Sequence, residues 1–166
     1  MLYFAYGSNM SVKRLRARIS SARVVCTAVL PGHQLKFHKH GDDGSAKCDA
    51  SESAEVHEVH GVVYDIHTAD KSTLDKIEGV GHGYEQKTVA VMTGIGLPMK
   101  AVTYYATKIQ ADLKPFAWYK EHVLRGAREH NLPDDYISLI EAVVASEDPN
   151  DGRHRKEVSI YGAPRW

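Results

Sequence analysis

Strand-like runs fill the first two thirds of this chain, and amphipathic helical segments gather in the last third. That segregation argues for an α+β fold and against a regular βαβ alternation with a parallel sheet. The strand candidates are Leu2 to Tyr6, VVCTAVL at 24–30, QLKFH at 34–38 and VHGVVYDI at 59–66. A further pair, QKTVAVMT at 86–93 and KAVTYYAT at 100–107, brackets GIGLP as a hairpin. ADKSTLDKIEG at 69–79 reads as a short helix closed by Gly79. PFAWYKEHVLRGAREH and PDDYISLIEAVVAS read as two helices, each opened by a proline near its first turn. Residues 40–58, rich in Gly, Ser and Asp, are expected to form a long mobile loop, and GRHRKEVSIYGAPRW at the end gives no distinct signal. No internal repeat or linker divides the chain, so residues 1–166 are expected to form a single domain.

Composition narrows the function classes. Lys plus Arg and Asp plus Glu both number 21, so no basic excess points to nucleic acid or an anionic membrane. KRLRAR at 13–18 and GRHRK at 152–156 read as solvated faces. The only cysteines, Cys26 and Cys48, lack the spacing of a redox or zinc motif, and no apolar leader or span is present. A cytoplasmic protein with no membrane or nucleic-acid partner is the expectation.

Most catalytic constellations fail on spacing. His57-Glu58-Val59-His60 does not meet H-E-x-x-H, and His38 with His40 has no completing ligand, so no metal site is expected. Ser8 sits in Y-G-S-N and not in a G-x-S-x-G elbow, and Cys26 lies in an apolar run where thiols are inert. The single glycine at position 7 excludes a Walker loop or a dinucleotide fingerprint.

Two features keep a chemical reading open. In YFAYGSNM at 3–10 a buried strand stops at Gly7, and Ser8, Asn9 and Ser11 are all good helix caps. Backbone N–H groups at such a turn suit a carboxylate or a developing oxyanion, yet a capped turn with no ligand has the same sequence. Glu78 follows Leu74 by four residues and ends its helix. Burial and the helix dipole would both raise its pKa toward the general acid/base range, while a surface Glu on a frayed end is the other reading.

Taken together, YFAYGSNM, LDKIEGV at 74–80 with Tyr84, WYK at 118–120 and NLPDDY at 131–136 resemble the γ-glutamylcyclotransferase family over residues 2–145. The resemblance implies a small mixed β-barrel, closed or nearly closed, flanked by helices and needing no cofactor. It implies cyclisation of a γ-glutamyl substrate to 5-oxoproline with release of an amine, commonly an amino acid. It assigns Glu78 as acid/base, Tyr3, Phe4, Ala5, Tyr6, Gly7 and Ser8 as the substrate loop, and Tyr119 as a substrate contact. Glu85 is a second carboxylate beside Tyr84, and residues 40–58 and the tail from 146 are expected to shape the leaving-group side. A homodimer is one state open to such a chain. The competing reading is a binding module for γ-glutamyl compounds or 5-oxoproline, without turnover. The catalytic reading requires Gly7 and Ser8 to meet Glu78 in the fold.

Overall fold

The computed structural model describes residues 1–162, so the last four residues of the tail, 163–166, lie outside the described residues. The apolar run that opens the chain is β1 (Leu2–Ala5), followed by β2 (Arg23–Pro31), β3 (His33–His40), β4 (Ala46–Glu52) and β5 (Glu58–Asp65). The expected hairpin is β6 (Tyr84–Thr93) and β7 (Pro98–Ala106). Five strands close a barrel in the order β1-β5-β2-β6-β7. β1 runs antiparallel to β5 and parallel to β7, meeting the latter at Tyr3 and Val102, which makes the barrel mixed. β5 carries Val59, Val62, Val63 and Tyr64, all buried, as a strand covered on both faces must. The fold is α+β, as expected.

Helices α1 (Val12–Arg18), α2 (Lys71–Glu78), α3 (Ala117–Glu129), α4 (Asp134–Glu141) and α5 (Asp151–Ser159) surround the barrel. Ser11 caps α1, its hydroxyl accepting from Arg14 N–H at 3.5 Å. α2 stops where Gly79 turns left-handed at φ 74°, a conformation glycine adopts without the Cβ penalty. Leu74 is fully buried and anchors α2 to the core, a contribution of about 2 kcal/mol. α3 packs Trp118, Tyr119, His122, Val123 and Ala127 inward.

Two expectations change. Residues 40–58 are not one long loop, because Ala46–Glu52 forms β4 and pairs with β3 in a separate two-stranded sheet. AKCDASE lacks the β-branched and aromatic residues that signal a strand, and its stability comes from partners distant in sequence. Its small residues Ala46, Cys48 and Ala50 are buried, and Asp49 accepts from Ala106 N–H at 2.8 Å. The featureless tail contains α5, capped by Asn150, whose side chain accepts from Arg153 N–H at 2.9 Å. Glu157 of α5 pairs with Arg14 of α1, and Tyr161 donates to Ser11 Oγ at 3.0 Å. Polar tethers hold this helix, which is why apolar periodicity did not reveal it. Among the described residues no helix is long and apolar enough to cross a membrane.

Candidate active site

Past the end of β1 the chain makes a short 3-10 turn, Ser8–Met10, before α1 begins. The N–H groups of Gly7 and Ser8 find no hydrogen-bond partner among the described residues, so two adjacent donors remain available. A Cβ on Gly7 would lie 3.0 Å from Cys48 Cβ and 3.4 Å from Tyr119 Oη, so any larger residue would crowd β4 and α3 here. The turn borders a small, partly open cavity, and Glu78 stands in its wall.

Glu78 is the last residue of α2 and only partly accessible. Its Oε1 accepts from Tyr3 Oη at 3.0 Å and from Asn9 Nδ2 at 2.6 Å. Among the described residues its Oε2 has no hydrogen-bond partner, which leaves one carboxylate oxygen to face the cavity's contents. Burial raises the carboxyl pKa; Arg18, the Tyr3 hydroxyl, Arg14 and the Asn9 amide oppose it, and the net direction is upward. A carboxyl whose pKa is raised in this way is better suited to take up and give back a proton than an exposed one.

Tyrosines build the remaining walls. Cys48 N–H donates to Tyr119 Oη at 3.0 Å, and Tyr84 Oη donates to the Cys48 carbonyl, so β4 is fastened through both backbone polar groups of one residue. Tyr104 Oη donates to Asp75 Oδ1 at 2.7 Å, tying β7 to α2. Burial keeps Tyr3, Tyr6, Tyr84 and Tyr119 well above the ordinary phenol range, so they serve as neutral hydrogen-bonding walls. Burial also pushes the Cys48 thiol to about 12, which makes it an inert wall residue.

A family model described as the AIG2-like family matches residues 58–140. The chain is 31% identical over 161 residues to the γ-glutamylcyclotransferase of Homo sapiens, covering 90% of this chain and 80% of that protein. It is 32% identical to the γ-glutamylcyclotransferase of Bos taurus with the same coverage. A solved structure titled γ-glutamyl cyclotransferase superposes with a TM-score of 0.89 at 28% identity, covering 98% of this chain and 99% of that one. The chain belongs to the γ-glutamylcyclotransferase family.

Of the loop residues the family resemblance implied, Tyr3, Tyr6, Gly7 and Ser8 line the cavity together with Tyr119 and Glu78. Phe4 and Ala5 do not. They are buried in the barrel, where the Phe4 carbonyl accepts from Thr103 Oγ1 at 2.9 Å. Glu85 lies opposite Tyr105 in the β6–β7 ladder, away from the cavity lining. Sequence reasoning passed over Asn9, Cys48, Tyr84 and Tyr104 as site residues. Asn9 and Tyr84 had been visible inside the quoted motifs, whereas Cys48 and Tyr104 carry no local signal. The histidines considered as ligands have other neighbours: His38 meets Asp49 at 2.9 Å, His57 meets Ser53 Oγ at 2.8 Å, and His60 meets Glu58 at 3.1 Å. Among the described residues no group of three or more His, Cys, Asp or Glu could hold a metal ion.

Beyond Glu78 lies a wider and more open vestibule that shares Ser8, Glu78, Tyr84 and Tyr119 with the cavity. Its outer walls include Gly41, Asp42, Asp43 and Lys47 before and within β4, and Arg153 and Glu157 of α5. Parts of residues 40–58 and of the tail from 146 therefore line this vestibule.

Proposed function

We propose that this family member catalyses the cyclisation of a γ-glutamyl amino acid or γ-glutamylamine to 5-oxoproline, releasing the free amino acid or amine. Glu78 is the general acid/base. The observation that carries this reading is the placement of the Glu78 carboxylate and the unpaired Gly7 and Ser8 N–H groups on one cavity.

The substrate's own α-amine is the nucleophile, so the protein supplies no Ser or Cys. Glu78 Oε2 takes a proton from that amine as its nitrogen attacks the γ-carbonyl carbon. A tetrahedral intermediate forms, and its oxygen takes up negative charge. Glu78 then delivers the proton to the amide nitrogen, the C–N bond breaks, and the amine departs. The five-membered lactam retains the γ-carbon, and no water enters. A raised carboxyl pKa suits both transfers, because the same group must accept and then give up one proton.

The Gly7 and Ser8 N–H groups hold either the substrate carboxylate or the developing oxyanion, and each role is worth a charge-assisted hydrogen bond. Tyr3, with Asn9, fixes the Glu78 carboxylate. Tyr6 and Tyr119 close the walls around the folded γ-glutamyl chain. Pre-folding that chain accounts for much of the rate, since well-oriented ring closures reach effective molarities of about 10⁵ M or more.

The test is 5-oxoproline release from γ-glutamyl dipeptides and γ-glutamylamines by wild type and Glu78→Gln. The variant is nearly isosteric and should keep its melting temperature while turnover falls by about 10²–10⁴-fold. Wild-type turnover in Glu78→Gln would remove the acid/base role.

A further inference from the structure

The vestibule beyond Glu78 is where the departing amine must lie, because the inner cavity is walled by tyrosines of the barrel and α3. Its cations are not equivalent. Lys47 pairs with Asp43 at 2.7 Å, Arg14 pairs with Glu157, and Arg153 pairs with Asp148 at 2.5 Å. Lys39 has no such partner. It is only 6% exposed, yet among the described residues no carboxylate lies within 4.0 Å of its ammonium and no hydrogen bond satisfies it. Asp42 lines the same vestibule but stays beyond ion-pair distance.

The surroundings hold this side chain in place. The register of β3 against β4 shifts between Phe37 and Lys39, and Lys39 is the first residue paired beyond the shift. Its Nζ lies 4.7 Å from the centroid of the Tyr84 ring, itself a wall of the inner cavity. A Cβ at Gly83 would stand 3.0 Å from Lys39 Cε, so the glycine makes room for the lysine stem. On the opposite side Arg18 also lines the vestibule. Its guanidinium donates to Asn9 Oδ1 at 3.3 Å, and among the described residues it too has no carboxylate within 4.0 Å. Desolvation lowers the pKa of both groups, the cost that an incoming anion would offset.

An ammonium on a buried side chain lining this vestibule, with no carboxylate within 4.0 Å among the described residues, is stabilised by an anion that binds there. We infer that Lys39, assisted by Arg18, is the specificity-determining residue that binds a carboxylate on the departing amine. This assignment rests on the cyclotransferase reading and names a residue of that same site.

The experiment compares γ-glutamyl-alanine with γ-glutamyl-alaninamide, which differ only in that carboxylate, on wild type, Lys39→Met and Lys39→Arg. The readout is the ratio of the two kcat/KM values, which a general loss of folded protein does not move. Wild type should favour the carboxylate by about 10- to 100-fold, the range of a charge-assisted hydrogen bond. Lys39→Met should bring the ratio close to unity, and Lys39→Arg should retain most of it. Equal use of both compounds by wild type, or an undiminished ratio in Lys39→Met, would overturn the assignment and leave the cyclotransferase reading standing. Absence of 5-oxoproline from both compounds would defeat the cyclotransferase reading instead. Calorimetric affinities of the same two compounds then decide for Lys39: a carboxylate preference lost in Lys39→Met supports it, and none in wild type refutes it.

Discussion

Gly126 offers a test in which two well-known effects have opposite signs. It lies on the face of α3 that packs against the turn carrying the Gly7 and Ser8 donors. A Cβ at this position would sit 2.5 Å from Met10 Cβ, 2.6 Å from Ser11 N and 2.8 Å from Met10 C. Relaxed carbon contacts are about 3.5–4.0 Å, so Gly126→Ala forces α3 back by about 1 Å. Helix propensity alone predicts a gain of about 1 kcal/mol for alanine over glycine in a helix interior. Overpacking costs about 1–3 kcal/mol, with the upper end expected where backbone atoms are struck. Two of the three atoms met here are backbone, so the steric cost wins. In a chain of 166 residues each kcal/mol moves Tm by about 2–4 °C, so the loss should be about 2–8 °C. α3 also carries Tyr119, which holds the Cys48 peptide beside the cavity. A displacement of about 1 Å at such a support costs on the order of 100-fold in rate. Thermal melts and kcat/KM for γ-glutamyl-alanine measure both. A Tm that rises with turnover intact would show that α3 does not press on the turn as described.

Three further outcomes are expected. In Tyr3→Phe the hydrogen bond that favours the Glu78 carboxylate is lost, so its pKa rises further and the acid limb of kcat/KM moves to higher pH; an unmoved limb would separate Tyr3 from Glu78. In Tyr119→Phe the buried Cys48 N–H is left without its partner, which should cost about 1–3 kcal/mol in denaturant melts. The third outcome concerns acid stability. His122 is held neutral with its pKa pushed down to about 4 by burial, and Glu157 is held ionised at about 2 chiefly by the His122 hydrogen bond. Both folded values lie below the unfolded ones of about 6.5 and 4.3. The stability they contribute is therefore complete above about pH 6.5 and is lost as pH falls, first through His122 and then through Glu157. His122→Gln should flatten the Tm profile between pH 6.5 and 4, and an unchanged slope there would contradict the assignment.

What the sequence disclosed and what it concealed divide along a physical line. α2 was legible because Leu74 and Ile77 mark a buried face and Gly79 a left-handed stop, both local signals. The turn after β1 was legible as a capped turn for the same reason, while its sequence alone did not separate a donor site from a turn without a ligand. β4 was not, because its small residues have weak strand propensity and it depends on β3 and two tyrosine hydroxyls reached from far along the chain. α5 was hidden because an arginine–glutamate pair and a tyrosine, not an apolar stripe, fasten it. Asn9 reads in sequence as a cap, yet its amide donates to a carboxylate 69 positions away. Lys39 is an ordinary lysine in a strand until the fold buries it with no carboxylate within ion-pair distance among the described residues.

The proposed mechanism requires one cavity to present the Gly7 and Ser8 donors and the Glu78 carboxylate to the same γ-glutamyl group. A crystal structure of Glu78→Gln with γ-glutamyl-alanine bound tests this most directly, because the slow variant holds the substrate intact. The expected complex has a substrate carboxylate or γ-carbonyl oxygen on the Gly7 and Ser8 N–H groups, with the α-amine within hydrogen-bond reach of the residue 78 amide. A substrate bound away from this turn, or with its α-amine turned from residue 78, would contradict it.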